Sequence, residues 1–308
     1  MFREKIPARQ LSAWLFTGLT PVTIQILGGS SWTWVGIAGI AGGAAAFCVW
    51  RSGWEPKRWQ CPLLILYIII VVGQLVSGAA GSWPAGDSYP AVPLILLALA
   101  AWSAQKGPSA AARVGAVLFW FILIMYLAVF GAGAKDVRVE WLKPQWAMPD
   151  GTGLLLFLVP SVAVCLLRRG EKWGPRLILP AVFTFCAVLI TAGVLSPAVA
   201  GKVEGAFYEM SRSINLAGVA RRFEALISAG MTVGWFALLS FFLTVCGALV
   251  QRFLEGWGKA GVWISALSAA VWMLCGLHIS GWFLLIAGAV FWVAMPILTQ
   301  GLEKRKKS

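Results

Sequence analysis

Apolar residues in this chain come in long runs, and polar residues collect in the short stretches between them. Most runs have the roughly 17 to 25 residues a helix needs to cross a bilayer. Ten can be traced, at roughly 10–27, 31–50, 62–80, 91–104, 114–133, 151–167, 177–196, 223–250, 260–276 and 280–299. The fourth is short and opens beside Pro90 and Pro93; the eighth is overlong, as a tilted or protruding helix would be. The pattern predicts an all-α polytopic membrane protein, one transmembrane domain over 1–308. Its parts are a first repeat (8–133), an outer loop (134–150), a second repeat (151–299) and a tail (300–308).

Two runs carry a proline at half depth. The first, from Ala8 to Gly29, holds Gly18, Thr20 and Pro21, followed by Thr23. The second, Gly151 to Leu167, holds Pro160 followed by Ser161. Proline gives no N–H to the residue four before it and crowds that carbonyl. Both helices are therefore expected to break, at Thr17/Pro21 and at Leu156/Pro160. Ten crossings divide into five plus five, and an odd number per half inverts the second half. The prolines then fall on the leading helix of each half, the arrangement of inverted-repeat transporters whose ligand sits at interrupted helices. The other span prolines do not compete: Pro62, Pro93 and Pro180 lie in first turns, where proline is tolerated.

Composition fits this picture. Only 12% of the 308 residues are charged and 59% are hydrophobic, with a mean hydropathy of +0.81; an ordinary soluble domain is about 25% charged. The net charge of +13 would suggest nucleic acid, but the basic residues sit in short loops. With the N-terminus inside, eighteen Lys and Arg lie on the inner side and seven on the outer. Both termini are thus expected in the cytoplasm, with no nucleic-acid partner. The apolar run after MFREKIPAR is long and lacks a small-x-small cleavage site, so it is read as a retained span. Between runs seven and eight, Val203, Ala206, Phe207 and Met210 share one face of an expected interfacial helix over the outer mouth.

Candidate chemistry is sparse. The six cysteines form no CxxC pair, and His278 is the single histidine, so a multi-histidine metal site is ruled out. No nucleophile–base set or phosphate loop occurs, and an enzyme is not expected. Without an intramembrane carboxylate or histidine a proton relay has no parts; backbone-coordinated sodium stays open, and no other cofactor is indicated. The expected ligand holders are the broken backbones. Val22 and Thr23 after Pro21 would offer N–H groups, and the Thr17 and Leu156 carbonyls the opposite polarity. That pairing suits a zwitterion. Gly18, Val159 and the polar side chains of Thr17, Thr20, Thr23 and Ser161 complete the candidate site, with Gln74 and Thr232 on runs three and eight. Each polar side chain has an ordinary alternative role, an interhelix hydrogen bond.

Several stretches resemble the spore germination permease family, the polytopic B subunits of nutrient germinant receptors within the amino acid–polyamine–organocation superfamily. The opening EKIPARQLSAWLF is similar to the family's start. KGPSAAARVGAVLFW, with Arg113, looks like its approach to span five. VEWLKPQW resembles its segment before span six, with Trp141 where the family has asparagine. The most specific stretch is YEMSRSINLAGVARRFEALISAGMTVGW, in which Arg222, Phe223, Glu224 and Leu226 match an entry into span eight. The resemblance covers most of the chain and implies a LeuT-like 5+5 inverted repeat with broken first and sixth helices. It also implies an amino-acid-type ligand, a larger A subunit and a lipoprotein C subunit as partners, and the spore inner membrane. Arg222 with Glu224 would form part of an outer gate; a membrane-edge ion pair is the equal alternative. Three roles remain open: a ligand-sensing receptor subunit, an active amino-acid permease of the cell membrane unrelated to germination, or an assembly subunit with a vestigial pocket.

Overall fold

The computed structural model describes residues 5–81, 91–144, 146–167, 178–203, 205–213 and 223–307; at 80–81, 223–224 and 302–307 it describes the backbone alone. Every predicted apolar run coincides with helix. The first half comprises α1 (Ala8–Leu27), α2 (Trp32–Ser52), α3 (Cys61–Gly81), α4 (Ala91–Ala104) and α5 (Pro108–Gly133). The sixth run is composite: α6 (Gly151–Leu155), a 3-10 turn (Leu156–Leu158), α7 (Val159–Ala163) and a second 3-10 turn (Val164–Leu166). Then follow α8 (Leu179–Leu195), α9 (Pro197–Ala200), α10 (Ala206–Ser213), α11 (Phe223–Phe253), α12 (Gly258–Leu274), α13 (Gly281–Ala289), a π turn (Val290–Ala294) and α14 (Met295–Lys307). No strand occurs among the described residues; Ile6 and Leu167 form one isolated parallel bridge.

Local chemistry explains the ends. Gly53 closes α2 in the left-handed region (φ 65°), its N–H returning to the Trp50 carbonyl, a conformation glycine takes without a Cβ penalty. Pro108 opens α5 where its missing N–H is no loss. Pro296 is the second residue of α14, one residue after the π turn, one of the places where helices absorb a proline or an extra residue.

Five helices are long and apolar enough to cross a membrane: 32–52, 61–79, 108–136, 225–253 and 281–301. The runs at 91–104, 151–166, 179–195 and 258–274 are shorter apolar helices. The chain is a polytopic helical membrane protein.

The centre of the bundle is α1, where fifteen of twenty residues are buried. It packs against α5, α8 and, most extensively, α11. Small residues allow the closest approach: a Cβ on Gly18 would lie 2.9 Å from the Leu238 backbone nitrogen, and one on Gly234 would lie 2.5 Å from the Pro21 ring. Buried indoles lock the pair, Trp14 Nε1 donating to the Ala237 carbonyl (3.1 Å) and Trp235 Nε1 to Gln25 Oε1 (2.7 Å).

The remaining contacts follow a pattern. α1 packs on α8 as the composite sixth run packs on α2, and α1 packs on α5 as α6 packs on α13. α3 meets α12 as α4 meets α11, while α2–α8, α3–α11 and α4–α12 pair directly.

Both ends of the bundle are tied. At one end, Lys5 Nζ donates to the Cys165 carbonyl (2.7 Å) and lies 3.7 Å from Glu55, which also pairs with Arg252 (3.3 Å). At the other, α10 lies across the end of α1 as the sequence predicts. Ala206, Phe207 and Met210 are buried, and Phe207 packs on Tyr126 and Phe130 of α5. Val203, expected on that face, precedes the helix in a bend.

Candidate functional site

The expected break in α1 does not occur. α-Helix runs through Pro21 without interruption from Ala8 to Leu27. The reason is the cost of the alternative. A continuous helix forfeits one hydrogen bond at Pro21, whereas an unwound turn would expose several N–H and C=O groups to an apolar interior. The site is also reinforced: Thr23 Oγ1 lies 2.6 Å from the Leu19 carbonyl and 3.2 Å from that of Thr20, and the Pro21 ring is pressed against Gly234. Val22 and Thr23 are therefore mid-helix residues rather than the exposed start of a new helix.

The sixth run departs from the expectation in a different way. It tightens instead of opening. The Leu156 carbonyl, expected to be left free by Pro160, accepts the N–H of Val159 in the 3-10 turn. Residues 151–166 remain helical with two tightened turns, not a gap.

The two proline-bearing segments nevertheless meet. Leu19 and Thr23 of α1, Leu156, Phe157 and Pro160 of the sixth run, and Thr184 of α8 surround an interior cavity of about 20 Å³, room for about one water. Gly39 and Gly43 of α2 close it; where Gly42 lies, α2 approaches the Phe157 backbone so closely that no Cβ would fit. No lining residue is charged.

Its polar feature is a hydroxyl pair, Thr23 Oγ1 and Thr184 Oγ1 at 2.6 Å, with Thr184 also 2.8 Å from the Pro180 carbonyl. Two further hydroxyls on the same segments, Thr20 Oγ1 and Ser161 Oγ, are fully buried and have no hydrogen-bond partner. Such groups are rare in folded proteins and mark places where a partner is expected.

The other candidates are placed elsewhere. Thr17 Oγ1 donates to α5 or its own helix, 2.9 Å from the Gly115 and Ala13 carbonyls. Gly18 and Pro21 form the α11 contact, and Val22 and Val159 sit in the apolar core. Gln74 anchors the turn between α12 and α13: its Nε2 lies 2.7 Å from His278 Nδ1, and its Oε1 accepts the Ile279 N–H (3.3 Å). Thr232 returns its hydroxyl to the Ser228 carbonyl. Arg222 and the side chain of Glu224 lie outside the described residues. Sequence reasoning missed Thr184. The signal is weak, because Thr184 lies four residues after a first-turn proline, Pro180, whereas Thr23 lies two after the mid-span Pro21.

Fold and site together define a helical membrane bundle with a small, charge-free cavity where α1, α2, the sixth run and α8 meet. No protein-family model matches the chain, and no curated protein matches it in sequence.

Proposed function

We propose that this chain is a permease-type membrane subunit that binds a small ligand where α1, α2, the sixth run and α8 converge. The observation that carries the reading is the meeting of two proline-bearing segments, about 140 residues apart in sequence, around an interior hydroxyl pair. Two more buried hydroxyls on the same segments await partners. The mirrored helix contacts support a 5+5 inverted repeat of LeuT-like kind, in which α1 corresponds to the sixth run and α2 to α8. The excess of Lys and Arg on one side supports cytoplasmic termini.

Among the described residues α10 lies over one end of α1, and the Lys5–Glu55–Arg252 cluster ties the other. Ligand entry requires one of these, or α2 and α8, to move. The resemblance to germination permeases supplies the role: a nutrient sensor of the spore inner membrane, working with an A subunit and a lipoprotein C subunit on an amino-acid-type ligand. With α1 continuous, such a ligand would be held by hydroxyls rather than by freed backbone groups. The alternative role is an active amino-acid transporter, sodium-coupled or uncoupled.

Purified protein in proteoliposomes, offered a panel of labelled amino acids, separates these readings. Saturable binding without uptake marks a sensor, and uptake marks a carrier. Both readings require the signal to fall in Thr184→Val. Absence of binding across the panel, in a protein that still assembles with partner subunits, would leave only an assembly role.

A further inference from the structure

The small cavity lies beside a larger space on the outside of the bundle. Gly39, Gly43, Ile178 and Ala181 line both the cavity and a groove of about 380 Å³ between α2 and α8. The groove is walled by Val35, Ile40, Val182 and Phe185, with no charged or hydroxyl-bearing residue in its lining. Ile40 is 77% and Val182 47% exposed, on helices whose outward faces are apolar. Gly36, Gly39 and Gly43 let α8 come close, so that Phe185, Ala181 and Ile178 fill the space beside them and part the groove from the interior. Its volume falls within the range of ligand sites, and its outer side faces hydrocarbon.

The hydroxyls at the inner end set the other half of the chemistry. Thr23 and Thr184 bring two protons to three short oxygen contacts: 2.6 Å between themselves, 2.6 Å to the Leu19 carbonyl and 2.8 Å to the Pro180 carbonyl. A hydroxyl donates one proton and accepts through two lone pairs, so the three contacts cannot each hold a linear hydrogen bond. The cluster is rich in acceptors and short of a donor. A charged head group would be buried without a counter-charge, which is costly.

We propose that groove and cavity join into one site, entered from the bilayer when α2 and α8 part at Gly39 and Ala181, for a neutral amphiphile. Its hydrocarbon chain lies between α2 and α8, and its hydroxyl or amide N–H donates to the Thr23–Thr184 pair. The inference rests on the reading of this junction as a ligand site, and adds a lipid-side route and a ligand class different from a free amino acid.

The test uses the full-length protein in lipid nanodiscs and two probes: a hexadecanol carrying a mid-chain diazirine, and its methyl ether, which lacks the donor. After irradiation, labelled peptides are mapped by mass spectrometry. Labelling is expected at 35–44 and 178–185, displaced by excess hexadecanol, and about fivefold weaker for the ether, the weight of one hydrogen bond. Thr184→Val should bring alcohol labelling down to the ether level. Gly39→Leu should abolish both, and Val182→Trp, which fills the groove from an exposed position, should do so if Gly39→Leu does not fold. Equal labelling by alcohol and ether in the wild type would overturn the donor site, as expected if a water already supplies the proton. Label spread evenly over all the apolar helices would overturn the groove. Amino-acid binding without groove labelling would sink this inference and leave the proposed function standing; groove labelling without amino-acid binding would do the reverse for the amino-acid ligand.

Discussion

Two of the buried polar groups without a partner lie on the proline-bearing segments. Thr20 and Ser161 are fully buried with no partner, and an unsatisfied buried polar group costs about 1–3 kcal/mol. Thr20→Val and Ser161→Ala should therefore leave stability unchanged or raise it, by up to about 1 kcal/mol, while weakening the response to ligand. Thermal unfolding in detergent reads the first effect, and binding reads the second. Destabilisation by either variant would mean the hydroxyl is already engaged. Gly18 and Gly234 make the opposite case. A Cβ on either would press into the facing helix at 2.9 or 2.5 Å, so Gly18→Ala and Gly234→Ala should each cost about 1–3 kcal/mol, read as a lower melting temperature. These contacts were not legible in the sequence, because a glycine's neighbour is set by how two distant helices cross. The hydroxyls were legible, since Thr20 and Ser161 flank mid-span prolines, but Thr184 required knowing that α8 faces α1.

At the scale of the element, the sequence showed where the helices are and misjudged how two of them behave. Each apolar run is helix because an apolar segment must satisfy its own backbone. The same requirement overrides Pro21, for which one lost hydrogen bond is cheaper than an unwound turn. A mid-span proline interrupts a membrane helix only where the freed groups meet protein or a polar cavity, and Pro21 instead presses on Gly234. A continuous α1 predicts that the amides of Val22–Gln25 exchange with deuterium as slowly as those of Leu11–Phe16. Fast exchange confined to 22–25 would indicate an unwound turn. α10 was legible from its amphipathic face, and its anchor is a single ring. Phe207 is buried against Tyr126 and Phe130, and Phe207→Ala should cost about 3–5 kcal/mol, seen as earlier proteolysis of the 197–213 segment and a lower melting temperature.

Ten runs and two mid-span prolines suggested two halves, and the contacts of α1, α2, α3 and α4 are mirrored by those of the sixth run, α8, α11 and α12. The mirror is imperfect at the core: α1 lies tightly on α11, while the sixth run makes no comparable contact with α3. Gly18 and Gly234 bring α1 and α11 together; among the described glycines, Gly73 of α3 meets Trp272 and Gly153 of the sixth run meets Leu27, so neither serves a contact between α3 and the sixth run. The ligand could not be read from sequence, because its chemistry depends on the proton count of a hydroxyl pair formed by residues 161 positions apart.

The most direct test of the central claim is a ligand-dependent thermal shift of the purified protein across a panel of amino acids and neutral long-chain alcohols, run beside Thr184→Val. A ligand at one hundred times its Kd should stabilise the wild type by about 2.7 kcal/mol, and the variant should lose most of that shift, each protein being compared with its own ligand-free melting temperature. A shift of equal size in both proteins, or none with any member of the panel, would contradict a binding site at the junction of α1, α2, α8 and the sixth run.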